Sequence, residues 1–404
     1  MSQTESIPII KPAFTTGQRL ASLDVYRGFV MLLMMAEVLS FMQVSAALPE
    51  SSFWKFLHFH QDHVAWVGCS LHDLIQPSFS FLVGVALPFS IANRIAKGAK
   101  FRDMLKHAAV RSLILILLGI FLRSMHSPQT NFTFEDTLTQ IGLGYIFLFI
   151  LGFRSQRVQL ISLIVILVIY WAAFAFYPLP NASFNYANAG AVQNWEHNLH
   201  GFAAHWNKNT NLAWAFDRWF LNLFPRENPF LFNSGGYSTL SFIPTLATMI
   251  LGLLAGDALK AETTAKQKLK FFIITGAALL ALGAILHFTG INPVVKRIWT
   301  PAWVIFSGGW CFLLLAFFYW IIDVVKYKKW GFPLMVIGMN SIVAYVIADG
   351  LRGFIANSLK IHVGQGYSAI LGSPYSTLVE GVLILAIEWW ILYWMYKKKI
   401  FIKI

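Results

Sequence analysis

Long apolar runs divide this chain, and its polar positions fall mainly in the segments between them. A helix needs about 20 apolar residues to cross about 30 Å of hydrocarbon, and most of the runs have that length. The third is the weakest, because Arg111 and Arg123 closely bracket its apolar centre. The pattern predicts an all-α polytopic membrane protein with about ten transmembrane helices, near 28–49, 74–93, 108–122, 137–153, 158–177, 237–256, 271–290, 302–322, 331–348 and 375–396.

The composition supports the membrane interpretation. Hydrophobic residues make up 57% of the 404 positions and charged residues only 12%, about half the charge of an ordinary soluble domain. The 16% of aromatic residues suits belts at two membrane interfaces. These values exclude a disordered chain, a collagen, a coiled coil and a disulfide scaffold. Two cysteines, Cys69 and Cys311, say little about the redox compartment.

The basic residues predict an orientation. If the N-terminus is cytoplasmic, 22 of the 31 Lys and Arg residues lie on the inner side and 9 on the outer side. The positive-inside rule then places both termini in the cytoplasm. The net charge of +13 thus reflects topology, and we expect no nucleic-acid partner. The polar first ~25 residues lack the apolar core of a signal peptide, so the first span is expected to act as the insertion signal.

This topology divides the chain into a cytoplasmic segment, 1–27, and a single transmembrane domain, 28–403. The domain includes one long outer loop, 178–236. A loop of this length is usually functional or disordered, and its tryptophans argue against disorder. Ordered tryptophans in an outer loop can cover a pocket or stack on a sugar ring, and they can equally anchor the loop at the interface. The loop contains Trp195, Trp206, Trp214 and Trp219.

Titratable residues are concentrated in the outer segment LHFHQDHVAWVGCSLHDLIQPSFSF, before and into the second span. His63 could be a general base or a covalent acyl carrier, because histidine titrates near neutral pH. A metal bound by His58, His60 and His63 is a second interpretation, but the spacing matches no closed zinc motif and we expect no metal. A third is a set of solvated loop histidines. Asp73 opens an otherwise uncharged run, so we expect it to face the protein interior and to have a partner.

Other polar residues lie inside predicted spans or at their ends. Each is a functional candidate, although a lone polar residue more often forms a hydrogen bond between helices. Glu37 stands out because the run around it, MLLMMAEVLSF, is otherwise uncharged. Asp24 and Arg27 lie at the cytoplasmic mouth of the first span, where Arg27 could bind phosphate or be an ordinary positive-inside residue. The remaining intramembrane candidates are His287, Asn340, Glu380 and Glu388.

Several motifs then occur in a fixed order along the chain: RLASLDVYRG, HVAWVG, HDLIQPSFSFLVGVAL, STLSFIPTLATMILGLLAG, KRIWTPAW and GMNSIVAYV. This ordered set resembles the heparan-α-glucosaminide N-acetyltransferase family, including shorter bacterial relatives related to N-acetylglucosamine transporters. The resemblance covers about residues 19–403. It implies an acyltransferase domain that moves an acetyl group from cytoplasmic acetyl-CoA to the amine of a terminal glucosamine on the far side of the membrane.

The resemblance also implies site residues. The family histidine lies in a pattern His-x-x-Trp-x-Gly, matched by His63, Trp66 and Gly68, and the aspartate ten residues later is Asp73. We therefore expect His63 and Asp73 to be catalytic. The acceptor is expected near Glu37, Trp66, His72, Trp206 and Asp217, and acetyl-CoA near Asp24, Arg27, Arg111, Asn340 and Ser341.

The chain departs from the family pattern at three places: Glu37 lies near a position that is often Asn, TQIGLGY replaces a Gln-Arg-x-Gly stretch, and FNSGG replaces Asp-Pro-Glu-Gly. These changes leave open a transporter of amino sugars and an O-acyltransferase of a surface polysaccharide. The large luminal domain of the animal enzyme is also absent, which favours a bacterial protein of the cytoplasmic membrane. A homodimer is a candidate assembly.

Overall fold

The computed structural model describes residues 20–402, which are helical apart from loops and an isolated β-bridge between Val67 and Val295. Most of the predicted segment 1–27 and the last residue of the predicted domain, at 403, lie outside this range. Within it the α-helices are α1 (Ala21–Met35), α2 (Phe41–Ala47), α3 (Ser52–Gln61), α4 (Ile75–Ala96), α5 (Phe101–Ser124), α6 (Thr137–Leu151), α7 (Gln156–Ala175), α8 (Leu212–Phe220), α9 (Phe242–Lys260), α10 (Ala265–Phe288), α11 (Pro301–Phe318), α12 (Phe332–Met339), α13 (Ser341–Gly350), α14 (Arg352–Val363) and α15 (Ser376–Lys397).

The all-α membrane class is confirmed, whereas the span count is lower than the ten predicted. Residues 20–402 contain seven helices long and apolar enough to cross a membrane, or up to nine if each of two bent pairs is one span. Each predicted run coincides with a helix or a bent pair. The difference arises at α6, whose 15 residues extend about 22 Å, less than the hydrocarbon thickness.

The bundle has an inner and an outer layer. The inner helices α4, α9 and α11 are largely buried, whereas α7 and α10 expose most of their length. The exposed positions on these outer helices are apolar, Ile169 and Ile274 among them. Apolar exposure of this extent is the expected surface of a membrane helix that faces lipid.

Two glycines allow α4 and α9 to pack with their backbones in contact. A Cβ atom at Gly84 would lie 2.0 Å from the Met249 carbonyl oxygen, and one at Gly252 would lie 1.9 Å from the Phe81 carbonyl oxygen. Small residues at such crossings are how membrane helices approach closely without a hydrophobic driving force between them. Since α4 carries one wall of the site described below, this contact sets the position of that wall.

Two of the spans are broken. The first predicted span bends by 41° between residues 39 and 41, and the predicted span 331–348 bends by 83° at Asn340, between α12 and α13. The Asn340 side chain holds the chain terminus against this second break, because its amide donates to the Ile400 carbonyl at 2.9 Å and its oxygen accepts from the Ile402 N–H at 3.1 Å. The helix α1 packs against both α12 and α13, so the two broken spans are neighbours.

The predicted outer loop is ordered by its own packing. It contains α8 and short 3-10 segments, and Trp206 is fully buried against α7 and the segment before α11. The cluster includes Phe174 of α7 together with Val295 and Ile298. These contacts tie the loop to two spans that are far apart in sequence.

Candidate functional site

Three loop segments interlock at the end of the bundle where the outer loop lies. The Gly68 N–H donates to the Val294 carbonyl at 3.1 Å, beside the bridge that joins Val67 to Val295. The Arg297 guanidinium donates to the Val64 carbonyl at 3.2 Å and to the Gly235 carbonyl at 2.8 Å. Segments around residues 64–68, 235–237 and 294–297 are thereby held as one unit.

His63 and Asp73 form a hydrogen-bonded pair within this unit. His63 Nδ1 lies 2.8 Å from Asp73 Oδ1. The other carboxylate oxygen of Asp73 accepts from the Ser70 N–H and hydroxyl, both at 3.0 Å, and from the Val64 N–H at 3.3 Å. Asp73 is only 1% exposed, and these donors stabilise its charge. A carboxylate at Nδ1 places the proton on that nitrogen and leaves the lone pair on Nε2, the arrangement of an activated base.

A buried lysine, Lys296, lies beside the His63–Asp73 pair. Lys296 Nζ lies 3.0 Å from His63 Nδ1, 3.4 Å from Nε2 and 3.4 Å from Asp73 Oδ1. Because Nδ1 donates to Asp73, the ammonium acts on the imidazole mainly through its charge. Burial lowers the pKa of Lys296, opposed by the nearby Asp73. Burial also lowers the pKa of His63; Asp73 opposes this effect and the Lys296 charge adds to it, which favours a neutral imidazole.

A second histidine–carboxylate pair lies against the first. His72 Nε2 is 3.0 Å from Glu37 Oε1, and the rings of His72 and His63 have centroids 4.6 Å apart. His72 is buried, whereas the Glu37 side chain is 49% exposed. The two pairs therefore form one polar cluster that extends from the buried Lys296 to a carboxylate in contact with solvent.

These side chains line an inner cavity of about 320 Å³. Its opposite wall is acidic and contains Glu135 and Asp136, with Arg123 beside them. Burial raises the pKa of both carboxyl groups. Asp136 caps α6 by accepting from the Leu138 N–H at 2.9 Å, so it has a structural role. Glu135 accepts from the Asn233 amide at 2.9 Å and also borders the cavity.

A second cavity of about 250 Å³ lies further along the same helices. Arg27, Arg111 and Ser341 line it, and Ile402 of the chain terminus closes part of it. Arg27 lies 3.3 Å from Asp24, and Arg111 donates to the Tyr145 hydroxyl at 3.0 Å. Two guanidinium groups make this a suitable site for phosphate. We call it the basic cavity.

Phe79 lines both cavities. On α4 the inner cavity borders Ile75 and Gln76, and the basic cavity extends from Phe79 to Ser90. At 1.5 Å per residue, the two cavities together follow α4 for about 22 Å, most of the thickness of a bilayer core. They therefore lie one after the other along α4, with His63 in one and Arg27 in the other.

The structure brings together some of the expected acceptor residues and separates others. Glu37 and His72 line the inner cavity with His63, whereas Trp66, Trp206 and Asp217 are not among its lining residues. The Trp66 indole donates to the Trp206 carbonyl at 3.0 Å, and both side chains are buried behind the cavity wall. Burial raises the pKa of Asp217 to about 7, and its carboxylate accepts from the Thr239 N–H at 3.0 Å.

Among the expected acetyl-CoA residues, Arg27, Arg111 and Ser341 border the basic cavity. Asp24 contacts Arg27 behind that wall, and Asn340 is buried and binds the chain terminus, as described above. Within residues 20–402, no group of three or more His, Cys, Asp or Glu side chains is arranged to hold a metal ion.

Sequence reasoning did not predict Lys296, Glu135, Tyr237 or Arg123 among the residues that line the inner cavity. Lys296 begins the motif KRIWTPAW, after two valines and directly before Arg297, so its sequence neighbours do not mark it as buried. Glu135 lies in an ordinary loop sequence, NFTFED, which carries no signal of its own. Tyr237 and Arg123 come from separate segments and reach the cavity only through the fold.

The fold and site define a polytopic membrane protein with a histidine–carboxylate cluster enclosed between helices. Among curated proteins, the heparan-alpha-glucosaminide N-acetyltransferases of Homo sapiens and Mus musculus are 24% and 22% identical to it, each over 96% of this chain. The chain spans 60% and 61% of the lengths of these relatives. No protein-family model matches the chain. The chain is thus similar to these N-acetyltransferases over nearly its own whole length.

Proposed function

We propose that the protein transfers the acetyl group of acetyl-CoA to the amine of a glucosamine-type sugar across a cytoplasmic membrane. The observation that carries the proposal is the pair of cavities that meet at Phe79. Acetyl-CoA is multiply charged and cannot cross hydrocarbon unaided. A passage that is basic at one end and holds a histidine–carboxylate pair at the other allows the thioester to reach the amine while the nucleotide stays on its own side.

In this proposal the basic cavity holds acetyl-CoA. The phosphates lie near Arg27 and Arg111, and the acyl arm extends past Phe79 toward His63. Asp24 orients Arg27, and Asn340 holds the break before Ser341 in place. The positive-inside prediction puts this end in the cytoplasm and the outer loop on the far side.

The acceptor enters the inner cavity from the opposite side. Glu37 and His72 border the space where its hydroxyl groups would lie, and Trp66 and Trp206 support the wall from behind. A lone carboxylate at Asp217 is a weak attractant for a cationic sugar, because its raised pKa leaves it partly protonated near neutral pH. We therefore place acceptor recognition at the cavity lining.

His63 supplies the base. Its Nε2 lone pair takes a proton from the attacking amine while Asp73 holds Nδ1–H. The amine nitrogen bonds to the thioester carbon, and the ammonium of Lys296 stabilises the negative oxygen that develops. Collapse breaks the C–S bond, and the proton passes to the sulfur of CoA. Alternatively, Nε2 attacks first and an acetyl-imidazole then transfers its acetyl group to the amine.

The direct test is to supply the purified protein with labelled acetyl-CoA and glucosamine and to look for labelled N-acetylglucosamine. Product from wild-type protein and none from His63→Ala supports the proposal. In proteoliposomes, product should form only when the two substrates are on opposite sides. A hydroxyl-only sugar in place of glucosamine tests O-acylation, and faster label transfer to that sugar would replace the N-acetyl proposal.

A transporter is the second candidate, because the structure contains two broken spans packed against each other. Discontinuous helices at a central site are typical of secondary transporters. Uptake of labelled amino sugar by proteoliposomes, without acetyl-CoA, distinguishes the two functions. Uptake by both the wild type and His63→Ala would favour transport.

A further inference from the structure

We infer that the Glu37–His72 pair is the outlet for the proton that acetyl transfer releases. This inference rests on the proposed function and adds a second acid–base pair to it. The Glu37–His72 contact is 3.0 Å, like the His63–Asp73 contact of 2.8 Å, and the two histidine rings lie 4.6 Å apart. The site thus contains two histidine–carboxylate pairs, whereas amine activation at His63 requires one.

The acetyl transfer releases one proton, which has to leave the site, and the Glu37–His72 pair could carry it. An amino sugar in water is largely an ammonium ion, R–NH₃⁺. It loses one N–H proton before attack and a second as the amide forms. One C–N bond forms, the C–S bond breaks, one proton bonds to the sulfur of CoA, and one proton is released. His63 holds one proton at a time, so it must discharge the first before it can take the second.

The surroundings of His63 restrict where that proton goes. Asp73 receives Nδ1–H and is buried among Ser70 and Val64 donors, and Lys296 is itself a buried cation. Neither leads to water. In the proposed function the acceptor occupies the inner cavity in front of Nε2. The ring of His72 lies beside the imidazole and contacts Glu37, whose side chain is 49% exposed.

Beyond Glu37 the structure opens. Glu37, His72 and His63 line not only the inner cavity but also a more open one of about 270 Å³. That open cavity is bordered by His58 on α3, by Asp62 at the end of α3, and by Arg352 from α14. From α13, Tyr345 and Asp349 face the inner cavity on the same side. The Glu37–His72 pair therefore borders both the inner cavity and the more open one.

The inferred path runs from His63 Nε2, through a water molecule, to the His72 ring, and then from His72 Nε2 to Glu37 and bulk water. Proton transfer between hydrogen-bonded acids and bases at such distances is ordinary acid–base chemistry. Lys296 lies at the inner end of this path, and its charge favours movement of a proton away from His63.

The test compares Glu37→Gln and His72→Gln with wild type in the purified protein. We expect kcat to fall on the order of 10-fold near pH 6. The loss should shrink as pH rises, because hydroxide then accepts the proton, and it should appear in kcat whatever these two side chains also contribute to the KM for glucosamine. Added imidazole, a diffusible proton acceptor, should restore the rate of both variants and leave wild type unchanged.

The matched control is Glu196→Gln, which removes the carboxylate from an exposed Glu–His contact of 3.5 Å in the outer loop. It should behave as wild type. Thermal unfolding of each variant separates misfolding from slow proton release, and Glu37→Asp, which keeps the carboxylate, should recover most of the rate if Glu37→Gln is poorly folded. The opposite result in the Glu37 and His72 variants is a raised KM, an unchanged kcat and no effect of imidazole. It would show that the pair only binds the acceptor.

The two hypotheses fail in different ways. If wild type acetylates glucosamine but the Glu37 and His72 variants keep its pH profile and ignore imidazole, the proton outlet is wrong and the proposed function stands. If wild type acetylates no amine, the proposed function is wrong and the outlet falls with it.

Discussion

The Lys296 ammonium lies 3.0 Å from the His63 imidazole although 233 residues separate them in the chain. The bridge between Val67 and Val295 and the hydrogen bond from Arg297 to the Val64 carbonyl bring the two segments together. A buried cation beside an imidazole disfavours the protonated ring. Burial is the main cause of the lowered pKa of His63, and the Lys296 charge adds to it against the opposing effect of Asp73.

Loss of the Lys296 charge should change the pH dependence of acetyl transfer. The active imidazole is the neutral form, which is present above its pKa, so a lowered pKa extends activity below the ordinary histidine value of about 6.5. In Lys296→Met the charge is gone, the pKa of His63 rises, and the acid limb of kcat/KM should move to higher pH. The profile is measured from about pH 5 to 9.

The charge-preserving variant Lys296→Arg is the matched control. It should keep the acid limb near its wild-type position even if the larger guanidinium lowers the rate. An acid limb that stays in place in Lys296→Met would show that burial alone sets the pKa of His63.

Removal of either member of the first pair should impair transfer to different extents. His63→Ala loses the base, and we expect a fall in kcat of at least about 10²-fold. Asp73→Asn keeps the shape of the side chain but not its charge, and should leave the imidazole misoriented and partly active. Single-turnover rates with labelled acetyl-CoA measure both. Normal turnover by His63→Ala, with loss of activity in His60→Ala, would show that the base is His60 and not His63.

Trp206 should matter for stability more than for acceptor affinity. The side chain is fully buried in the cluster that fixes the outer loop, and truncation of a buried tryptophan costs about 3–5 kcal/mol. We expect Trp206→Ala to lower the unfolding temperature of the purified protein and to leave the KM for glucosamine unchanged in the folded fraction. Trp219→Ala, at an exposed position of the same loop, should change neither. A raised KM for glucosamine in a fully stable Trp206→Ala protein would show that Trp206 contacts the acceptor after all.

The charge distribution predicts which surface faces the cytoplasm. Cysteines introduced at Lys100, in the basic loop before α5, and at Glu196, in the outer loop, both occupy exposed positions. In intact cells a membrane-impermeant thiol reagent should label Glu196→Cys and not Lys100→Cys, relative to the parent protein with Cys69 and Cys311. Labelling of Lys100→Cys alone would invert the topology and exchange the sides of the two substrates.

The sequence by itself determined the protein class and the location of its spans, because burial in lipid requires long apolar helices whatever their partners. It also pointed to His63 and Asp73, since both lie in one short segment and a carboxylate at a membrane boundary requires a partner. Their hydrogen bond spans only ten residues, within the reach of local reasoning.

Only the tertiary structure decided which distant residues complete the site. Lys296, Glu135 and Tyr237 enter the inner cavity from three separate loops, and no local pattern specifies which loops meet. The structure also placed Trp206 and Asp217 in packing roles, because an aromatic-rich loop looks the same in sequence whether its rings face a ligand or each other. Contacts between segments hundreds of residues apart depend on how the helices pack, above all on the close crossing of α4 and α9 at Gly84 and Gly252.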